Sequence, residues 1–220
     1  MKMPPLRLVL NSGADSRREF ADLTISAGFN DQAKLEVDAV YKTIRACTVE
    51  RRYSDPEDLA VALAHKLLDS EPGITSAEVE ISSSSWRRLG ASAFEKGSPE
   101  VRIARASVGR DGSASVGAGL RGLKVLMGPP VFETIHLEWR YKSAGVSYNS
   151  AWSAVRKLVL QAFDDREDPQ AIAQLMVDVI ESLAEVKLTV EREALRETEH
   201  PGLFEPSETI KKSSTIAKSR

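Results

Sequence analysis

His-Leu-Glu-Trp-Arg-Tyr-Lys, residues 136–142, opens the stretch whose reading decides the fold, and that stretch runs on to Val190. The seven residues read as an extended piece. Two amphipathic helices follow. Ala151, Trp152, Val155, Leu158, Val159, Ala162 and Phe163 share one face of the first. Ile172, Leu175, Met176, Val179, Ile180 and Leu183 share one face of the second. Both sets step by three and four residues, the mark of a helix with one buried stripe. Asp168 is a good N-cap and Pro169 a good first helical residue, which puts Gln170 in the first turn. After Ala184 the pattern changes to Val186-Lys-Leu-Thr-Val190, which alternates like a strand. Strand, helix, helix, strand is the expected order, and Gln170 is the polar side chain to which a job falls.

The same order is legible in the first half. Leu6 to Asn11 is a short apolar strand, Ser12 to Ser16 a turn, and Phe20 to Ala27 its hairpin partner. A helix is expected from about Asp38 to Val49, with Val40, Ile44 and Cys47 or Thr48 on one face. A second starts at Ser54-Asp-Pro-Glu-Asp58, capped by Asp55 or Ser54, and stops near Pro72-Gly73. Ala77 to Ile81 and Val101 to Ala106 alternate, the latter with Val101, Ile103 and Ala104 inward. Leu120 to Met127 is extended, and a weak last strand falls near Thr209 to Ala217. The fold class is therefore α+β. Two tandem units, 1–112 and 113–220, each lay two helices on a four-stranded antiparallel sheet. Such sheets would leave open edges, and joining edge to edge across subunits into a barrel removes them. A homo-oligomer is expected.

Composition narrows the function classes. A net charge of −2 over 220 residues, with dispersed Lys and Arg, gives no field for nucleic acid. One cysteine, Cys47, excludes an internal disulfide and a cysteine-based metal cluster, and it reads as core packing. His65, His136 and His200 have no metal-ligand spacing. No apolar run approaches the roughly 20 residues of a membrane span. There is no signal-peptide core, and the chain ends Lys-Ser-Arg. A soluble cytoplasmic protein is the expectation.

Several of these stretches together resemble one family, the urate oxidases of the tunnelling fold (T-fold). Gly122-Leu-Lys-Val-Leu126 is similar to that family's Gly-Leu-x-Val-Leu strand. Trp139-Arg-Tyr141, then Tyr148-Asn-Ser-Ala-Trp152 and Ala162-Phe163, resemble its Trp-Arg-Tyr strand and its Phe-Asp-x-x-Trp helix ending in Ala-Phe. Asp168-Pro-Gln170 with Met176 resembles its Ser-Val-Gln and helix methionine. Trp86-Arg-Arg88 and Phe204-Glu-Pro206 resemble motifs of its first half and last segment. No single motif is specific; their shared order and spacing, over nearly the whole chain, carry the resemblance.

The resemblance implies a T-fold barrel, most often in a tetramer of two stacked barrels. It implies a planar heterocyclic substrate and dioxygen, with no metal or organic cofactor. It implies that Gln170 grips the edge of the ring, where an amide offers both donor and acceptor; the alternative is a glutamine capping its own helix. Phe132 stands where a family phenylalanine stacks on the ring, or it is plain core. Lys2 lies within about a residue of the catalytic lysine's place, and Asp38 matches the aspartate of the family's threonine-aspartate pair. Other positions depart. The threonine is Val37, and the valine that gives a backbone N–H is Pro169, which has none. The asparagine above the ring aligns with Glu191 or Arg192. The urate-binding arginine lies in a segment missing between Phe132 and Ile135. Arg192 could replace it as an anion partner, or it is an exposed charge beside Glu191 and Glu193. Three readings follow. The first is a divergent urate-oxidase-like enzyme with ordinary urate activity weak or lost. The second is a non-catalytic paralogue that binds or assembles. The third is another T-fold activity on pterins or purines, against which the scattered His and Cys count when it needs zinc.

Overall fold

The computed structural model describes residues 2–12, 19–29, 36–51, 55–88, 94–96, 100–127, 131–164, 168–201 and 203–218. The expected turn at 13–16, the cap at Ser54 and the Gly-Pro-Pro stretch at 128–130 lie outside them.

In chain order the elements are β1 (Leu6–Ser12), β2 (Glu19–Phe29), α1 (Val37–Glu50), α2 (Pro56–Ser70), β3 (Ser76–Arg88), β4 (Phe94–Lys96), β5 (Val101–Gly109), β6 (Ala114–Met127), β7 (Val131–Tyr141), α3 (Tyr148–Asp164), α4 (Pro169–Val179), β8 (Leu183–Glu197) and β9 (Phe204–Ala217). Both halves thus run strand, strand, helix, helix, strand, strand, with the short β4 added beside β3. The α1 stripe is the one the periodicity gives, with Val40, Ile44, Cys47 and Thr48 buried. On α4 Ile172 and Met176 are buried as expected, but Ala173 and Val177 complete the stripe, Val179 is exposed, and Leu183 belongs to β8 because the helix ends at Val179.

One expectation changes. The halves do not form two sheets. β5 pairs with β6 from Val101↔Arg121 to Val108↔Ala114, so one antiparallel sheet runs β1-β2-β3-β5-β6-β7-β8-β9. The turn between them closes tightly because Gly112 takes φ +82°, which glycine adopts without steric cost. β5 also turns the other way from its expected reading. Ala104, Ala106 and Val108 join the helix-side core, while Arg105 lies on the opposite face and Ile103 is buried there. The large residues suggested the wrong parity, and a shift of one residue exchanges the two faces of a strand.

All four helices lie on one side of the sheet. Each half has its own apolar cluster, one around Ile44, Leu63, Leu67 and Ile81, the other around Leu137, Val159, Ile172 and Leu188. A polar seam joins them. Glu57, in the first turn of α2, is 0% exposed and receives Arg102 from β5 (Nη2–Oε2 2.6 Å, Nε–Oε1 3.3 Å). Arg102 also donates to Asn149 Oδ1 at 2.6 Å and lies 5.3 Å over the Trp152 ring. Trp152 is accordingly half-buried against the seam rather than sunk in the stripe where it was expected. Asp55 makes no side-chain cap to its own helix. Its carboxylate instead accepts from Asn149 N at 3.2 Å and from Asn149 Nδ2, and so caps α3 of the other half.

The uncovered face is polar and cross-braced. Arg105 donates to Glu80 (2.6 Å) and Glu138 (3.1 Å), and Arg121 to Glu138 (3.3 Å). The Arg105 bond holds the Glu138 carboxyl below the ordinary carboxylate range. Arg105 spans β6 at Gly117, its register partner. Gly119, opposite Ile103 and Glu138, is crowded by backbone: a Cβ there would stand 2.8 Å from Leu137 O. Gly119→Ala is therefore expected to cost about 1–3 kcal/mol, as an overpacked site does, measured by chemical denaturation. An unchanged midpoint would show that β6 gives way freely there.

Candidate functional site

The candidate residues fall into two groups. The first belongs to the first half. Lys2 is exposed and forms an isolated antiparallel bridge with Gly28, while Met3 N donates to Ala27 O at 2.9 Å. The Tyr41 hydroxyl donates to Pro4 O at 3.1 Å. The N-terminal segment is thereby pinned between the end of β2 and the first half of α1. Asp38 is exposed in the first turn of α1, at that same end.

The second group belongs to the second half. α4 packs on β8 and β9. Its cap is the one the sequence implies: Asp168 Oδ2 accepts from Gln170 N at 3.0 Å, with Pro169 at the first position. The Ile172 N–H is also taken, by Asp168 O at 3.0 Å, so in this first turn the Ala171 N–H alone has no acceptor among the described residues. The Gln170 side chain is exposed and has no hydrogen-bond partner among the described residues. Its exposure distinguishes it from the buried Ile172 and Met176 further along the helix.

Arg192 lies on β8, opposite Glu133 of β7 and Ile210 of β9. It is an exposed charge, as one reading had it, and it is also paired with a buried acid. Glu133 is 1% exposed, and Arg192 donates to its Oε1 through Nε at 2.7 Å and through Nη2. Phe132 is 36% exposed and pairs with Leu126 and Glu193. Alternation along β7 buries Glu133, Ile135, Leu137 and Trp139 under the helices, which turns Phe132 to the uncovered face. Phe132 is therefore not core. Within one chain it faces away from the side of the sheet that carries α4 and Arg192.

Sequence reasoning missed Glu133. The signal was present: an acid in the series Val131, Glu133, Ile135, Leu137, Trp139, at a position whose parity is that of the core. It also missed Glu57, whose carboxyl burial pushes up, with Arg102 drawing it partly back. Among the described residues no group of three His, Cys, Asp or Glu side chains could hold a metal ion. No helix there is long and apolar enough to cross a membrane.

One helix-backed antiparallel sheet, built from two strand-strand-helix-helix-strand-strand halves, defines the fold class: it is the fold of the urate oxidases. The uricase from Arthrobacter globiformis superposes with a TM-score of 0.83 at 17% identity, over 100% of this chain and 95% of that one. A hyper-thermostable AgUricase mutant gives 0.84 at 18%, over 100% and 93%. A hyperthermostable mutant of the urate oxidase from Bacillus sp. TB-90 gives 0.72 at 14%, over 91% and 88%. The sequence itself matches no protein-family model and no curated protein. What is shared at these identities is the fold.

Proposed function

We propose that this chain is a divergent urate-oxidase-like protein that binds a planar, purine-like heterocycle between subunits. One observation carries the reading. The two groups of candidate residues sit at opposite ends of a single open sheet: Lys2 bridged to β2 with Asp38 on α1, which Tyr41 ties to the same N-terminal segment, and Arg192 on β8 with Gln170 on α4, which packs on β8 and β9. Every neighbour in the path is antiparallel, so the two edge strands, β1 and β9, run in opposite directions. Joining β9 of one copy to β1 of the next continues the pattern and removes both edges. It brings α4 of one copy toward α1 of the other and completes the site. The helices would ring the outside of such a barrel and the polar face would line its inside. The halves 1–112 and 113–220 are its repeating units, and a tetramer of two barrels is the assembly we propose. Light scattering at micromolar concentration should return at least twice the 24.1 kDa of one chain; a monomer would remove the completed site.

In this reading Gln170 makes the in-plane contact and Arg192 faces the ring's anionic edge. Phe132, the stacking residue that the resemblance implies, lies at the rim where β7 begins but turns to the inner face of such a barrel, away from Gln170 and Arg192. Lys2 and Asp38 handle protons, in a cytoplasmic, cofactor-independent oxidation by dioxygen. Orientation and proton transfer are what the protein supplies to such chemistry. Gln170→Ala should leave the melting temperature nearly unchanged, since the side chain is exposed. It should weaken binding of urate or xanthine by about 1–3 kcal/mol in calorimetric titration, the cost of stranding a polar partner. Unchanged binding would make Gln170 an ordinary helix residue.

A second reading, a non-catalytic binding or assembly protein, has its own support. Val37 offers no hydroxyl, Pro169 no N–H, and Asp168 already occupies the start of α4. Binding of purines without turnover would favour it.

A further inference from the structure

We infer that Glu133 is a positioning residue, which holds the Arg192 guanidinium so that its outer edge meets the anionic edge of the heterocycle. The inference rests on the proposed reading of Arg192 as the ligand's anion partner, and on the geometry beneath it. Glu133 projects into the helix-covered side of the sheet from a strand position flanked by Val131 and Ile135. An ionised carboxylate at 1% exposure is costly unless paired. A well-packed apolar side chain would serve the fold as well or better. The pairing is one-sided, because Arg192 keeps 59% of its side chain exposed. Nε and Nη2 form one edge of the guanidinium, and both donate to Glu133 Oε1. The end-on edge, Nη1 with the second N–H of Nη2, has no acceptor among the described residues. Two parallel donors on a fixed fork suit a planar anion with two acceptors in its plane. Lys212, two residues from Ile210 along β9, lies on the same face and adds a second positive charge without competing for Glu133. An arginine free to swing would lose rotamer freedom on binding; one already held by a buried acid loses less.

The inference separates the binding role of Glu133 from any structural one. Urate, an anion at neutral pH, and hypoxanthine, a neutral purine, serve as probes in calorimetric titration of the full chain. Glu133→Gln and Arg192→Ala should each weaken urate binding by about tenfold, the size of a lost charge-assisted contact. The double variant should be no worse than either single one, as expected for residues acting as a unit. Hypoxanthine binding should stay within error. Glu133→Met guards against misfolding: it should hold or raise the melting temperature while weakening urate binding to the same degree. A ligand-free readout accompanies these. The Arg192 Nε–H resonance should be protected from solvent exchange in the wild type and lose that protection in Glu133→Gln. If Arg192→Ala weakens urate binding but Glu133→Gln and Glu133→Met do not, the positioning role is wrong and the site reading stands. If the wild type binds neither purine while the Nε–H is protected, the site reading has failed and takes the inference with it.

Discussion

Arg102→Ala should destabilise the folded chain by about 3–5 kcal/mol, because it strips the counter-charge from a carboxylate with no access to water. Glu57 is 0% exposed and Arg102 only 15%, so solvent cannot screen the loss. For a chain of this length the melting temperature should fall on the order of 10 °C. The effect also has a pH signature. Burial already raises the Glu57 carboxyl above its ordinary value in the folded chain, and Arg102 opposes that rise. Without Arg102 the folded pKa climbs further. A carboxyl with a raised folded pKa binds its proton more tightly in the native state. Its stabilising share is present below the ordinary value and is lost as pH rises through the raised one. The defect should therefore be largest at neutral pH and shrink toward about pH 5. Urea denaturation at the two pH values measures it. A defect that grew on acidification would mean that Glu57 stays ionised without its partner. The same variant releases Asn149 and Trp152, so the seam between the halves should loosen as well.

Ordinary urate oxidation should be at least about 100-fold weaker than in an enzyme with the full set of contacts. The resemblance to urate oxidases implies a threonine hydroxyl where Val37 stands, a backbone N–H where Pro169 stands, and an arginine in a segment this chain lacks. Each lost polar contact is worth about 1 kcal/mol or more, and about 1.4 kcal/mol is a factor of ten. The geometry adds to the deficit, because Asp168 holds the Gln170 N–H. Loss of urate absorbance with purified protein is the measurement. Rapid turnover would mean that the site is built from other residues than these.

The parts of this fold that repeat along the chain were legible in the sequence. The stripe of α1, the Asp168 cap and the strand-helix-helix-strand order are local properties, set by spacing and by backbone chemistry within a few residues. The pairing of β5 with β6 was not, since both flank an expected boundary and nothing local says that two sheets are one. The parity of β5 was misread because Val101 and Ile103 outweigh Ala104 and Ala106 in bulk. A small residue faces a helix as readily as a large one when the helix lies close. Asp55 shows a third limit. It sits where an N-cap belongs, yet its carboxylate serves Asn149 on another helix, a choice made by tertiary packing. In the site, Gln170 could be found from its place in the first turn. The Arg192–Glu133 pair could not, because it joins residues 59 apart in the chain through a strand register that only the folded sheet defines.

The claim that a second copy completes the site is tested most directly by mixing two defective chains. Lys2→Ala/Asp38→Ala damages the first-half group, and Gln170→Ala/Arg192→Ala the second. Each alone should bind urate poorly. Refolded together as random dimers, half the assemblies are hybrids, and each hybrid has one site built from two intact groups. About one quarter of wild-type sites should then return with wild-type affinity, as closed two-fold pairing requires. A mixture that binds no better than its two components would contradict a site shared between chains.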